Sequence, residues 1–414
     1  MHMKWYQALA NPRILTVFLL GFSSGLPLAL TTATLSAWFT EAHIGLLAIG
    51  SLSLVGQPYV YKFLWAPLMD RFIPPFMGRR SGWILITQFL LIMTIAAMAC
   101  FNPEQHAELM GLLALLIAFC SASQDISINA YQTDVLHQEE LGFGASLNVL
   151  GYRIAMVVSG AFALILAQYA GWHLTYSIMS ALMLIGVFTS WFGPEVPDAK
   201  QQTPGTLKSA VIEPFVEFFQ RKGPWLATAL LLIIILYKMG DAFALSLNTT
   251  FLLRGVHFSL ADVGVANKGV GLIANIAGGL IAGIILTRIR LFYGLIIFGF
   301  LQALSNLSYM LLAHVGHNYS VMLFAISSEY FCSGLGTAAF LALIMQICNA
   351  RYTATQFALL SALSAVGRVY VGPVAAVVVE HVGWTWFYFW SFIIALPGTL
   401  LIFVVNPFLK NDAE

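Results

Sequence analysis

The sequence predicts an all-α integral membrane protein, twelve transmembrane helices in two six-helix bundles. Three observations carry that prediction. The composition is too apolar for a soluble domain, twelve runs are long enough to cross lipid, and the two halves of the chain share motifs about 212–215 residues apart. Of the 414 residues, 59% are hydrophobic and 9% charged, and the mean hydropathy is +0.84. A soluble domain carries roughly 25% charge. The net charge of +1 provides neither a basic surface for nucleic acid nor an acidic tail. Cys100, Cys120, Cys332 and Cys348 are scattered and form no C-x-x-C pair, so they read as small packing residues, not as a zinc site or disulfide framework.

A helix needs roughly 20 apolar residues to bridge the hydrocarbon core, and at that length only helices satisfy their own backbone in lipid. Residues Met1 to Asn11 are amphipathic, and no small-residue cleavage site follows, so the first apolar run is expected to be retained as a helix. Span 1 (14–38) carries Gly21-x-x-x-Gly25, a spacing that lets helices approach closely. Spans 2 (47–69) and 3 (81–101) flank a charged loop. Span 4 (108–134) has a polar stripe of Ser121, Gln124, Asp125, Asn129 and Gln132 on one helical face. Such a face looks at water, substrate or other polar groups, not at lipid. Span 5 (143–168) holds Arg153, and span 6 (173–192) closes the first half.

Residues 193–223 contain Pro194, Pro197, Pro204 and four basic residues, which reads as a cytoplasmic linker between bundles 1–192 and 224–414. Span 7 (224–253) places Lys238 and Asp241 at i, i+3, close enough to pair. Span 8 (260–286) carries Gly279-x-x-x-Gly283, and span 9 covers 291–313. In span 10 (319–348), Gly334 and Gly336 lie just beyond Glu329 and are expected to loosen the helix. Span 11 (354–380) aligns Ser361, Ser364 and Arg368, and span 12 (384–406) ends the second half.

Loop charge sets the orientation. With the N-terminus inside, the cytoplasmic loops hold Lys4, Arg13, Arg71, Arg79, Arg80, Lys200, Lys208, Arg221, Lys222, Arg288, Arg290, Arg351 and Lys410, thirteen of the 19 basic residues. Outside lies Arg254. Both termini are therefore expected in the cytoplasm. The halves are related by Gly25–Leu30 against Gly240–Leu245, and by Gly171-Trp172…Tyr176 against Gly383-Trp384…Tyr388.

Ionisable residues at membrane depth cost roughly 2.5–3.5 kcal/mol on insertion scales, which makes each a functional hypothesis. Asp125, Arg153, Lys238, Asp241, Glu329 and Arg368 stand out, while Lys62 and Lys268 lie near enough to an edge to snorkel. Lys238–Asp241 reads equally as part of a site or as a structural ion pair that lowers its own burial cost. Arginine forks at 153 and 368 suit carboxylate recognition. Desolvation favours the neutral acid and a nearby cation the carboxylate, so an acid whose surroundings alternate can carry a proton. Asp125, Asp241 and Glu329 are the candidates. Asp125 ranks first because its helix face is polar and no cation neighbours it on that helix.

Enzymatic readings find little support. Gly21-Phe22-Ser23-Ser24-Gly25 fits G-x-S-x-G, but it lies inside an apolar span, and all nine histidines fall at span ends, in loops or in the N-terminal tail. There is no H-E-x-x-H, P-loop or dinucleotide fingerprint, so no metal, nucleotide or other cofactor is expected.

Six stretches resemble the AmpG muropeptide permeases, members of the major facilitator superfamily. They are Gly25–Leu30 (GLPLAL), Trp65–Arg71 (WAPLMDR), Cys120–Asp125 (CSASQD), Leu150–Arg153 (LGYR), Tyr237–Leu247 (YKMGDAFALSL) and Gln356–Pro373 (QFALLSALSAVGRVYVGP), spread over both halves. The resemblance implies two six-helix repeats around a cavity lined by spans 1, 4, 7 and 10, and Asp125, Lys238, Asp241 and Glu329 fall on those spans. Met69-Asp70-Arg71 through Gly78-Arg79-Arg80 is similar to the superfamily's G-x-x-x-D-R-x-G-R-R loop, with a longer gap. In that family the loop latches the cytoplasmic side, which implies a gate at Asp70, Arg71, Arg79 and Arg80. Positive-inside charge would account for the arginines alone, but not for Asp70.

The resemblance also implies a substrate, the anhydro-muropeptide GlcNAc-1,6-anhydroMurNAc with or without its short peptide. It would be imported from periplasm to cytoplasm across the bacterial inner membrane with protons, by a monomer embedded in the lipid bilayer. Arg153, Lys238 and Arg368 would meet its carboxylates, Gln124, Asn129 and Asn248 its sugar hydroxyls, and Tyr152 and Tyr237 its sugar faces. Two departures stand against the pattern. Many relatives carry a second acid where this chain has Asn129, and enterobacterial members run on into further spans, while a complete twelve-span core is expected to transport. A carrier or exporter of another sugar-like or amphiphilic solute, and a receptor without flux, remain the alternatives.

Overall fold

The structure is a computed structural model, and it describes residues 11–75, 77–137, 140–194, 213–348 and 353–411. Every regular element among them is helical. Among the described residues, ten helices are long and apolar enough to cross a bilayer. The last contains two spans, because within Thr353–Asn411 the backbone breaks at Gly383 (φ 75°, ψ 170°). The predicted span 2 is the irregular one. It is built from Leu46–Ser51, Leu52–Gly56, Gln57–Tyr61, Lys62–Leu64 and Ala66–Arg71, alternating α and 3-10 turns. Pro58 and Pro67 have no N–H to continue an α-helical ladder, so a single straight helix cannot form there. The all-α, twelve-segment reading therefore holds, with one segment in pieces.

Helix starts follow local chemistry. Asn11 accepts from the Arg13 N–H at 3.0 Å ahead of Pro12, Asn102 accepts from Glu104 ahead of Pro103, and Asn318 caps the helix Tyr319–Ile347 through Val321. Each satisfies one of the orphan donors at a helix N-terminus. Span 7 is interrupted where its charges lie, with Pro224–Leu236 ending before Tyr237–Lys238 and Met239–Ser246 following. Such a break in the ladder needs a local cause, and here it falls beside the Lys238 charge.

The chain divides into two compact units, Met1–Ile44 with Tyr61–Thr203, and Gly45–Val60 with Pro204–Glu414. In the first, span 1 (Pro12–Glu41) packs on span 5 (Gly144–Ala170) backbone to backbone. A Cβ on Gly21 would lie 2.3 Å from the Asn148 carbonyl, and one on Gly25 would lie 2.5 Å from that of Tyr152. Ile14, Val17, Leu20, Ile84 and Ile128 form the apolar core beneath them.

In the second unit, span 8 (Leu260–Leu286) packs on span 10 (Tyr319–Ile347), and here two expectations are corrected. Gly283 meets open space, whereas Gly279 keeps its backbone close to span 10, its nitrogen 3.0 Å from where a Cβ on Gly334 would lie. The tightest approach is made one residue earlier, by Gly278 against the Phe331 carbonyl. One residue turns a helix face by about 100°, so the motif as spaced in the sequence does not all face the partner helix. Gly334 and Gly336 do not loosen span 10. They are tight contacts, against the Asn275 backbone and the Gln302 side chain. The segment 45–60 also packs within this unit, where Ser53 Oγ donates to the Val369 carbonyl at 2.7 Å.

Much of the predicted linker, 195–212, lies outside the described residues, as do residues 1–10. Its end is a helix, Glu213–Lys222. Phe218 is buried in the second unit's apolar core, and Arg221 donates to the Ile347 carbonyl at 2.8 Å.

The repeat is visible in the geometry. Gly171 and Gly383 share a positive φ (80° and 75°), and His43 and His257 both take left-handed backbone (56° and 60°) about 214 positions apart. Trp38 packs on Trp172 and Tyr176 as Phe251 packs on Trp384 and Tyr388.

Candidate functional site

In the first unit Asp125 is the centre. Ser24 Oγ of span 1 donates to Asp125 Oδ1 at 2.5 Å, and Lys62 Nζ stands 3.9 Å from Oδ2. Lys62 is therefore a counter-charge, not a side chain snorkelling from an edge. Beside it Trp65 Nε1 donates to Ser123 Oγ at 3.0 Å. Gln124 is fully buried, and neither end of its amide has a protein partner. Of the stripe on span 4, Ser121 and Gln124 are buried, Asp125 is partly buried and Asn129 is exposed. Arg153 is exposed at mid-span, and Tyr152 is half-buried.

In the second unit the acids are more deeply set. Three donors converge on Asp241 Oδ2: Lys238 Nζ at 3.3 Å, Ser333 Oγ at 2.9 Å, and the Gln302 amide. Glu329 is fully buried and accepts from Ser305 Oγ. It lies close enough to Asp241 and Lys238 to feel their charges. Asp241 Oδ1 and Glu329 Oε1 receive no donor from another side chain, the two carboxyl groups standing within hydrogen-bonding reach of each other, and neither end of the Asn306 amide has a partner. Asn248 Nδ2 donates to Asn267 Oδ1 at 3.3 Å. Tyr237 is buried, its ring stacked on Phe340 at 5.7 Å and its hydroxyl donating to the Leu295 carbonyl. That places it in the packed wall and not on an open face. Arg368 is exposed on span 11.

Of the charged loop, Arg80 Nε bonds Asp134 Oδ2 at 3.1 Å, tying span 3 to the end of span 4. Arg79 Nε is buried without a partner. The side chains of Asp70 and Arg71 lie outside what the structure describes, although their backbone closes the helix Ala66–Arg71. No group of three metal-ligating side chains occurs among the described residues.

The family model of the Major Facilitator Superfamily matches residues 14–372. The chain belongs to that superfamily. Within it the chain is a member of the AmpG muropeptide permease family. It is 51% identical over 411 residues to the anhydromuropeptide permease of Escherichia coli K12, covering 99% of this chain and 83% of that protein. A Rickettsia conorii transporter named AmpG 4 is 31% identical over 403 residues, 95% of this chain and 96% of that one. Among solved structures, the nucleoside transporter NupG superposes with a TM-score of 0.72 at 15% identity, covering 98% and 100% of the two chains. The peptide transporter POT with alafosfalin superposes at 0.74 with 12% identity, covering 99% and 97%. These two show the shared fold. This AmpG-family chain is thus a multi-pass membrane transporter of a small-molecule substrate, and its relatives are permeases, not enzymes.

Sequence reasoning missed the span 9 partners of the acids. Gln302, Ser305, Asn306 and Tyr309 follow offsets of 3, 4 and 7, one helical face. The test that found the stripe on span 4 would have found this one. Ser24 carried no such signal, because a lone serine in an apolar helix usually bonds its own backbone.

Proposed function

We propose that this chain imports anhydro-muropeptides, GlcNAc-1,6-anhydroMurNAc with or without a short peptide, from periplasm to cytoplasm, driven by proton entry. The observation that carries the coupling is Asp125, a carboxylate at membrane depth shared between a serine hydroxyl and a lysine from another helix. A proton arriving at Asp125 removes the charge that holds Lys62, and a substrate carboxylate can take that charge's place. Asp241 and Glu329 repeat the theme beside Lys238 in the second unit. The substrate follows from the E. coli permease, which is 51% identical over 411 residues of this chain.

In this reading Arg153 and Arg368 face water, since an exposed arginine at mid-span is costly against acyl chains. They and Lys238 meet substrate carboxylates. Gln124, with both amide ends unpaired, and exposed Asn129 meet sugar hydroxyls, joined by the free carbonyl of Asn248. Tyr152 offers a sugar face, while Tyr237 supports the wall behind Lys238. Asp70, Arg71, Arg79 and Arg80 form the cytoplasmic gate. Bundles 1–192 and 224–414, joined through 193–223, sit as a monomer in the bacterial inner membrane with both termini in the cytoplasm.

The test is flux. Purified protein in vesicles with an inward proton gradient accumulates labelled anhydro-muropeptide, and collapsing the gradient abolishes accumulation. Arg153→Ala and Arg368→Ala weaken substrate binding. Binding without flux points to a receptor, and flux indifferent to the gradient removes the coupling.

A further inference from the structure

We propose that Gln302 of span 9 is a positioning residue for the Asp241–Glu329 pair, holding Asp241 as the fixed anchor and leaving proton exchange to Glu329. This rests on the proton-coupled reading above. Neither motif nor resemblance pointed to Gln302. It stands on the site's own geometry.

The donors are unequally divided. Gln302, Ser333 and Lys238 all aim at Asp241 Oδ2, whereas Glu329 receives one hydroxyl, from Ser305, and otherwise faces the Asp241 carboxyl itself. Each donor aimed at a carboxylate favours its charged form. A carboxylate with three donors is a poor shuttle, and one with a single rotatable hydroxyl is a better one. Gln302 is itself held in place. It is 3% exposed, and a Cβ on Gly336 would lie 2.3 Å from its Oε1. Glycine at 336 therefore makes the room the amide occupies, so span 10, which carries Glu329, also fixes the residue that orients Asp241.

The internal repeat isolates the role. About 214 positions earlier in span 3 stands Gln88, also fully buried. Its Oε1 accepts from Ser190, and its Nε2 has no protein partner. The two glutamines share the offset of the repeat, but Gln88 lies against Ser190 and Gly186 of span 6, whereas Gln302 bonds an acid.

Other groups bear on the pair's charge. Lys238 and Tyr237 come from span 7, Tyr309 from span 9, Tyr330 and Cys332 from span 10, and Tyr388 from span 12. Lys238 is the cation among them, so the anchor is built from Lys238 and Gln302 together.

The experiment is the pH profile of gradient-driven uptake in vesicles, using the labelled anhydro-muropeptide, for Gln302→Met, Gly336→Ala, Gln88→Met and Glu329→Gln. Gln302→Met keeps the length of the side chain and deletes the amide. Gly336→Ala displaces the amide without touching an acid. Both move the acid-side midpoint upward, by about one pH unit for one lost hydrogen bond to a charge. Gln88→Met leaves the midpoint in place. A general folding defect would scale uptake equally at every pH and leave the midpoint alone. Wild-type midpoints in both Gln302→Met and Gly336→Ala, with gradient dependence lost in Glu329→Gln, overturn the positioning role alone. An equal shift in Gln88→Met also overturns it. Full gradient drive in Glu329→Gln overturns the proton-coupled reading of this pair and the proposal with it.

Discussion

Lys62 Nζ stands 3.9 Å from Asp125 Oδ2 while Ser24 holds Oδ1 at 2.5 Å, so three spans meet at one carboxylate. The irregular backbone of span 2 is what brings the lysine there, since Lys62 opens the short 3-10 turn Lys62–Leu64.

Asp125→Asn keeps a hydrogen-bond partner for Ser24 but no titratable charge. Uptake by this variant is expected to lose its response to the proton gradient while the protein still inserts in the membrane. Lys62→Met leaves the carboxylate with Ser24 alone and lowers uptake by about tenfold, between the values of exposed and buried ion pairs. The double variant should be little worse than Asp125→Asn, because the two residues act through one interaction. Fully additive losses would separate Lys62 from Asp125.

Glycine contacts give a prediction about stability. Gly278→Ala places a Cβ 2.1 Å from the Phe331 carbonyl, so spans 8 and 10 must move apart, at about 1–3 kcal/mol. Gly283→Ala meets open space and stays within about 0.5 kcal/mol of the wild type. Thermal unfolding of the detergent-solubilised protein ranks the two, and equal behaviour would contradict the packing.

Glu140, in the loop between spans 4 and 5, links stability to pH. Burial by itself raises its carboxyl. The His137 N–H at 3.0 Å, Asn11 Nδ2 at 2.5 Å and Arg13 at 3.8 Å outweigh that and hold it below the usual glutamate value of 4.5. A depressed acid stabilises the fold above its unfolded pKa, and that contribution fades as pH falls through the folded value. Glu140→Gln should therefore unfold at lower temperature than wild type at pH 7, with the gap closing below about pH 4. A gap that persists in acid would assign the effect to packing.

The spans were legible because lipid imposes one rule, a long apolar run, on any helix that crosses it. The charged residues were legible for the complementary reason: a charge amid an apolar run is conspicuous in one dimension. The related turns at Gly171 and Gly383 could be read as well, since only glycine takes that backbone without strain. What each charge touches could not. Lys62 looked like an edge residue until span 2 proved to be broken, and Tyr237 looked like a sugar platform until Phe340 and Leu295 were found to occupy its ring and hydroxyl.

Amino-acid order alone determined the membrane class, the twelve segments, the doubled architecture and which residues carry charge, because these depend on composition and on period along one helix. Tertiary structure decided the partners, giving Asp125 its serine and lysine, Asp241 its glutamine, and the close contact to Gly278 rather than Gly283. Those choices depend on which face of one helix meets which face of another, a rotation of about 100° per residue that no single span records.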